Sequence, residues 1–168
     1  MVEQQQSQEP PAAGVTVRQS IVVQAPQERA FAVFTERMGS WWPLDTHAIG
    51  PQPVVDAVIE PRAGGRWYER SADGSEIKWG RVLVWEPPRR VVLAWQLSAD
   101  YDPDERIHTE VEVRFTADGA RRTRVELEHR GLEAYAERAH EMRDSFGSEG
   151  GWLGLLRRYA ATAEGEAA

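Results

Sequence analysis

Residues 107–129 hold two segments, IHTEVEVRFT and TRVELEH, in which apolar residues recur at every second position, joined by the turn ADGARR. A period of two belongs to a strand, whose successive side chains point to opposite faces. Ile107, Thr109, Val111, Val113 and Phe115 fall on one face of the first segment, and Val125, Leu127 and His129 on one face of the second. His108, Glu110, Glu112, Arg114, Arg124, Glu126 and Glu128 fall on the other. Such a hairpin sits in an antiparallel sheet with one wet face and one buried face. The chain must therefore supply an apolar layer to cover it.

The C-terminal stretch EGGWLGLLRRYAATAEGEAA answers that need. Trp152, Leu155, Leu156 and Tyr159 stand at helical spacing, and Gly150, Gly151 and Gly154 leave room for close backbone approach. The preceding GLEAYAERAHEMRDSF is weakly helical. Near the start, VTVRQSIVVQAP reads as a strand. APQERAFAVFTERM reads as a helix, with Pro26 in its first turn and Ala30, Phe31, Val33, Phe34 and Met38 as its apolar stripe. GSWWPLDTHAIGPQP breaks into loop or short turns around its glycines and prolines. VVDAVIE, GRWYER, EIKWGRVLVWEP and RVVLAWQL follow as strands separated by PRAGG, SADGS and PPR. The predicted order is strand, one or more helices, about six strands, then a long C-terminal helix. This is an α+β chain in which a curved antiparallel sheet wraps that helix.

With 168 residues and 41% hydrophobic content, a single domain over 15–163 is expected, after a disordered lead-in over 1–14 and before a tail at 164–168. The opening MVEQQQSQEPPAAG has neither the basic start nor the apolar core of a signal peptide. With no apolar run of spanning length, the expectation is a cytoplasmic protein without a membrane partner. The net charge of −7 argues against a nucleic-acid partner. With no cysteine, disulfides, thiolate metal sites and cysteine nucleophiles are excluded. Asp100, Asp102, Asp104 and Glu105 lack the spacing of a calcium loop and read as a solvated acidic turn, so no metal and no cofactor are expected. The glycines before Trp152 come without a lysine or a Rossmann context, which favours helix packing over phosphate binding.

The seven tryptophans are unevenly placed: Trp67, Trp79, Trp85 and Trp95 fall within about thirty residues. Parity groups Ile77, Trp79, Arg81, Leu83 and Trp85 on one face of their strand, and Val91, Leu93, Trp95 and Leu97 on one face of the next. If these faces are concave, Trp79 and Trp95 form an aromatic wall with Arg81 as a polar group, extended by Trp67 or Tyr68 according to register. Core filling is the better reading of any one ring taken singly, but the set as a whole favours a cavity. Trp41 and Trp42, adjacent in a proline-bounded loop, are expected to divide, one packing inward and the other covering the cavity mouth. His129 ends an inward-facing run and reads first as a hydrogen-bonded structural histidine.

AGGRWYE, WGRVLVWEPPRRVVLAW, RVELEHRGL and GGWLGLL, in this order, resemble the SRPBCC superfamily over roughly residues 15–160. They are most similar to its single-domain branch related to activators of the heat-shock-protein ATPase, with the START-like, or helix-grip, fold. WWP at Trp41–Pro43 is also similar to the members that protect producers of enediyne antibiotics, typified by the calicheamicin self-resistance protein. The resemblance implies a cavity between sheet and helix that holds a hydrophobic aromatic or polycyclic molecule, in a monomer or weak homodimer. The candidate lining is then Trp41, Trp42, Trp67, Tyr68, Trp79, Arg81, Trp95, Phe115, His129, Trp152 and Leu156. The expected role is carriage, sequestration or self-protection. The alternatives are a polyketide cyclase or aromatase, with His129 and Arg81 as acid–base or orienting groups, and a co-chaperone-type interaction module, which lacks its additional N-terminal domain here. For protection against a radical-generating drug, Gly64, Gly65 and Gly119 are the expected accessible backbone sites; as ordinary features all three are turn glycines.

Overall fold

A computed structural model describes residues 14–165, and the expected lead-in and last residues lie outside them, apart from Gly14, Glu164 and Gly165. The elements are β1 (Thr16–Val23), α1 (Gln27–Thr35), a 3-10 turn (Met38–Ser40), β2 (Val54–Ile59), β3 (Arg66–Ser71), β4 (Glu76–Glu86), β5 (Arg90–Trp95), β6 (Thr109–Ala117) and β7 (Thr123–Arg130). A 3-10 segment (Leu132–Arg138), α2 (Ala139–Phe146) and α3 (Trp152–Gly165) complete the chain. All seven strands form one antiparallel sheet in the order β1-β7-β6-β5-β4-β3-β2. The sheet curls into a half-barrel around the C-terminal helix, as the alternation and the covering helix require. Among the described residues no helix is long and apolar enough to cross a membrane, and no cluster of His, Asp and Glu could hold a metal ion.

The β6–β7 pairing sets Val111 opposite His129, Val113 opposite Leu127 and Phe115 opposite Val125, all buried. α1 starts after Pro26, whose extended backbone leaves it as the cap, and ends where Glu36 and Arg37 both donate to the Ala32 carbonyl. Its buried Phe31 and Phe34 meet Phe115 at 5.1 and 5.8 Å, which closes one end of the core. α3 crosses the sheet with Trp152, Leu155, Leu156 and Tyr159 inward. It starts just after Gly151, where a Cβ would strike the carbonyls of Ser145 and Phe146, so only glycine lets the α2–α3 turn close this tightly.

The outer face is not uniformly wet. Glu112 is buried there and accepts hydrogen bonds from Arg90 Nε (2.8 Å), Arg114 Nε (2.7 Å) and Arg130 Nη1 (2.6 Å). Burial opposes ionisation of this carboxyl, but the bonds from Arg130 and Arg114 outweigh it and hold Glu112 down to about 2.

Strict parity fails on β4. Tyr68 pairs with Lys78 and Trp67 with Gly80, so Trp79 is an extra residue, and a second irregularity lies between Val82 and Val84. An extra residue reverses which face each following side chain takes. Trp79 therefore stays inside, Val82 replaces Arg81 on the inner face, and Trp85 returns to it against Phe31.

Candidate functional site

The inner face is solid at one end and hollow at the other. The hollow is a cavity of about 340 Å³ between the sheet and the first turns of α3. Trp79, Trp95 and Leu97 form its floor, and Phe146, Gly150, Gly151, Trp152 and Leu155 its helical wall. The loop after the 3-10 turn supplies Trp42, Thr46, His47, Ala48 and Ile49, while Tyr101 and Ser145 stand exposed at the rim. Among the described residues no Asp, Glu, Lys or Arg lines it.

The rings meet edge-on or tilted, with centroids of Trp42–Trp79 at 5.2 Å, Trp42–Trp152 at 6.0 Å and Trp95–Trp152 at 6.1 Å. Aromatic pairs favour such angles, which leave ring faces available to a further planar group. Three hydrogen bonds brace the arrangement. Trp42 Nε1 donates to the His47 carbonyl (2.8 Å), Trp79 Nε1 to Glu69 (2.8 Å) and Trp152 Nε1 to His129 Nδ1 (3.1 Å).

His129 lies behind the cavity rather than in its lining. Nδ1 accepts from Trp152, so the ring proton is on Nε2, which donates to Thr109 Oγ1 (2.9 Å); Thr109 in turn donates to the Trp95 carbonyl (3.0 Å). Burial pushes the imidazole down to about 3, and the ring stacks on Phe146 at 4.6 Å. With both nitrogens engaged, His129 braces two lining tryptophans and has no free lone pair for a substrate. The imidazole that does reach the cavity is His47. Its Nε2 donates to the Gly150 carbonyl (2.7 Å), and Nδ1 accepts from Thr46 Oγ1 (2.8 Å).

The structure gathers Trp42, Trp79, Trp95 and Trp152 of the expected set around the cavity. Trp67 stands one layer behind, 5.6 Å from both Trp79 and Trp95. Trp41 does not reach the cavity: it packs on Phe34 and Tyr159, and its Nε1 donates to the Val33 carbonyl (3.0 Å). Both adjacent rings are buried and lie 5.7 Å apart, Trp41 against Phe34 and Tyr159 and Trp42 against Trp79 and Trp152, so neither is a lid. Tyr68 is on the outer face under Arg66, 4.2 Å away. Arg81 is also outside and exposed, 3.4 Å from Gln96 Oε1, so it is not the polar group of an inner wall. Phe115 belongs to the solid end, and Leu156 is buried away from the cavity, which takes Leu155 instead.

Gly64 and Gly119 are exposed turn residues with φ of 84° and 94°, whereas Gly65 is buried against Glu60 and is not accessible. Thr46, His47, Ile49, Tyr101, Ser145 and Phe146 were not expected at the site. Thr46, His47, Ile49 and Tyr101 come from two loops, where no periodicity marks an inward side chain, and Ser145 and Phe146 from the last turn of the weakly helical α2.

Known structures share this architecture. An anthrahydroquino-γ-pyrone synthase, Txn09, is 37% identical, with 90% of this chain and 99% of that chain covered at a TM-score of 0.62. The self-sacrificing resistance protein CalC from Micromonospora echinospora is 30% identical, with 91% and 96% covered at 0.64. Protein NE0264 from Nitrosomonas europaea, 15% identical with 90% and 95% covered at 0.64, shares the fold. A search of curated protein sequences returned no match. The family model described as activator of Hsp90 ATPase homolog 1-like protein matches residues 24–164, from the end of β1 through α3. The curled sheet, its gripped helix and that match together show that the chain belongs to this family, within the SRPBCC group.

Proposed function

We propose that this protein binds a planar, polycyclic aromatic molecule of polyketide type in the tryptophan-lined cavity, for carriage, sequestration or self-protection. The observation that carries the reading is the cavity itself: four tryptophans around an open volume with no formally charged side chain in the lining. Its volume falls at the lower end of the range of small-molecule sites, about 300–1,000 Å³. The names of two relatives above 25% identity, a pyrone synthase and a resistance protein, support an aromatic or polyketide-derived ligand. Titration with a dihydroxyanthraquinone tests it. Tryptophan fluorescence should be quenched with saturation in the wild type, and an unchanged signal together with no heat of binding would remove the reading.

A catalytic version is supported by a specific geometry. The Thr46–His47–Gly150 chain engages both imidazole nitrogens, as at His129, but its two bonds are exposed beside the cavity, where a ligand hydroxyl can exchange for Thr46 Oγ1. In that version His47, not His129, is the acid–base group. Should a ring-closing turnover be found, His47→Gln should slow it by about 10²–10⁴-fold, while His129→Gln acts through Trp152 packing. In the self-protective version Gly150 and Gly151 offer backbone Cα–H bonds to the ligand, whereas Gly64 and Gly119 lie outside the lining. Mass spectrometry after exposure to an activated enediyne distinguishes cleavage at 150–151, cleavage at the exposed turns, and an intact chain.

A further inference from the structure

Glu69 lies on the inner side of this end of the sheet and is completely buried without lining the cavity. It projects from β3 beneath the loop that walls the cavity. Its Oε1 accepts from Trp79 Nε1 (2.8 Å) and from the Ile49 amide (2.9 Å); its Oε2 accepts from the Gly50 amide (2.6 Å) and shares Ile49 (3.1 Å). Among the described residues it forms no ion pair with an arginine or lysine, and N–H groups satisfy it. A buried carboxyl is retained only when hydrogen bonds compensate for lost solvation. Three donors from two separate walls of one cavity converge here. The loop end is built for this carboxyl: a Cβ on Gly50 would sit 2.9 Å from Glu69 Oε2 and 3.0 Å from Ile77 Cδ1.

We infer that Glu69 is the positioning residue of the cavity, setting ligand affinity by locking the Trp79 ring and the 47–50 wall into one arrangement. The inference rests on the ligand-binding reading above. The loop has a second fastening at its front, where His47 bonds to Gly150 across the mouth. That front bond is exposed and single, whereas several bonds converge on the buried Glu69 carboxylate, so the rear of the loop is held more firmly than the front. A ligand meeting an already fixed wall does not have to order it, and preorganisation of this kind raises affinity without adding a contact.

The test uses the full chain, a dihydroxyanthraquinone as probe, and amide exchange followed by NMR. Glu69→Gln keeps the shape but replaces one acceptor oxygen with a donor facing N–H groups. It should speed exchange of the Ile49 and Gly50 amides about tenfold or more while β6 and β7 stay protected. It should also shift the Trp79 indole proton and weaken probe binding about tenfold, the equivalent of one hydrogen bond. Gly50→Ala reaches the same contact from the loop side and should reproduce the loss even if Glu69→Gln folds poorly. Val113→Ala, buried outside the cavity lining, controls for lost stability and should leave affinity unchanged. Combining Glu69→Gln with Trp79→Phe should cost less than the sum of the two, since both remove one shared interaction. Probe binding that survives both Glu69→Gln and Gly50→Ala unchanged overturns the inference alone. Failure of the wild type to bind overturns the ligand-binding reading, and this inference with it.

Discussion

The two ends of the inner face are built from the same kinds of residue and do opposite things. At one end Phe31, Phe34, Trp41, Phe115 and Tyr159 close on one another at 5.1–5.8 Å. At the other, Trp42, Trp79, Trp95 and Trp152 keep similar spacings to neighbours yet enclose about 340 Å³. Aromatic content therefore does not decide between core and cavity. The solid end has α1 pressed into it, and Tyr159 of α3 fastens there by donating to the Ala30 carbonyl (2.7 Å). The hollow end is spanned by a loop pinned to Glu69 and by a turn that closes only through Gly151. Fixed backbone, not ring size, holds the opening.

The sharpest way to break this contrast is to truncate one ring at the solid end. Phe34→Ala removes a fully buried side chain touching three other rings and should destabilise by about 3–5 kcal/mol in urea unfolding. Affinity for an anthraquinone probe should survive while the protein remains folded. A large loss of affinity in the folded variant would mean that the two ends are not independent.

A smaller effect comes from the brace beneath the hollow end. Unfolded histidine takes up a proton near pH 6.5, but folded His129 does so only near pH 3, because burial disfavours the charged ring. Between those values the unfolded state binds more protons, so stability falls as pH is lowered. From pH 6.5 to 5 the loss should be about 2 kcal/mol, above the range in which Glu112 protonates. His129→Gln should flatten that part of the profile, as urea midpoints across the range would reveal. An unchanged slope would assign the pH dependence to other groups.

Trp42→Ala sharpens the comparison from the cavity side. Unlike Phe34, this ring lines the cavity, so its loss removes part of the binding wall. Affinity, read by calorimetry, should fall about tenfold or more, equivalent to about 1.4 kcal/mol. The smallest change is expected at Arg81. Its exposed outer position predicts a stability shift within about 0.5 kcal/mol for Arg81→Ala and no change in affinity.

The sequence by itself determined the element order, the antiparallel sheet, its covering helix and the inward faces of β5, β6 and β7. Those follow from periods of two and 3.6, which are local consequences of backbone geometry and can be read from spacing. Trp95, Trp152 and the burial of His129 were legible for the same reason. The tertiary structure alone decided which face Arg81 takes, because a bulge exists only relative to a partner strand, and the extra Trp79 is invisible until Tyr68 and Trp67 have paired. It alone separated Trp41 from Trp42, since two adjacent rings find different surfaces only once α1, α3 and the sheet are in place. It alone brought Thr46, His47 and Tyr101 to one rim and Glu69 beneath one loop. Loops carry no periodicity, and their side chains take direction from the elements that happen to pack against them.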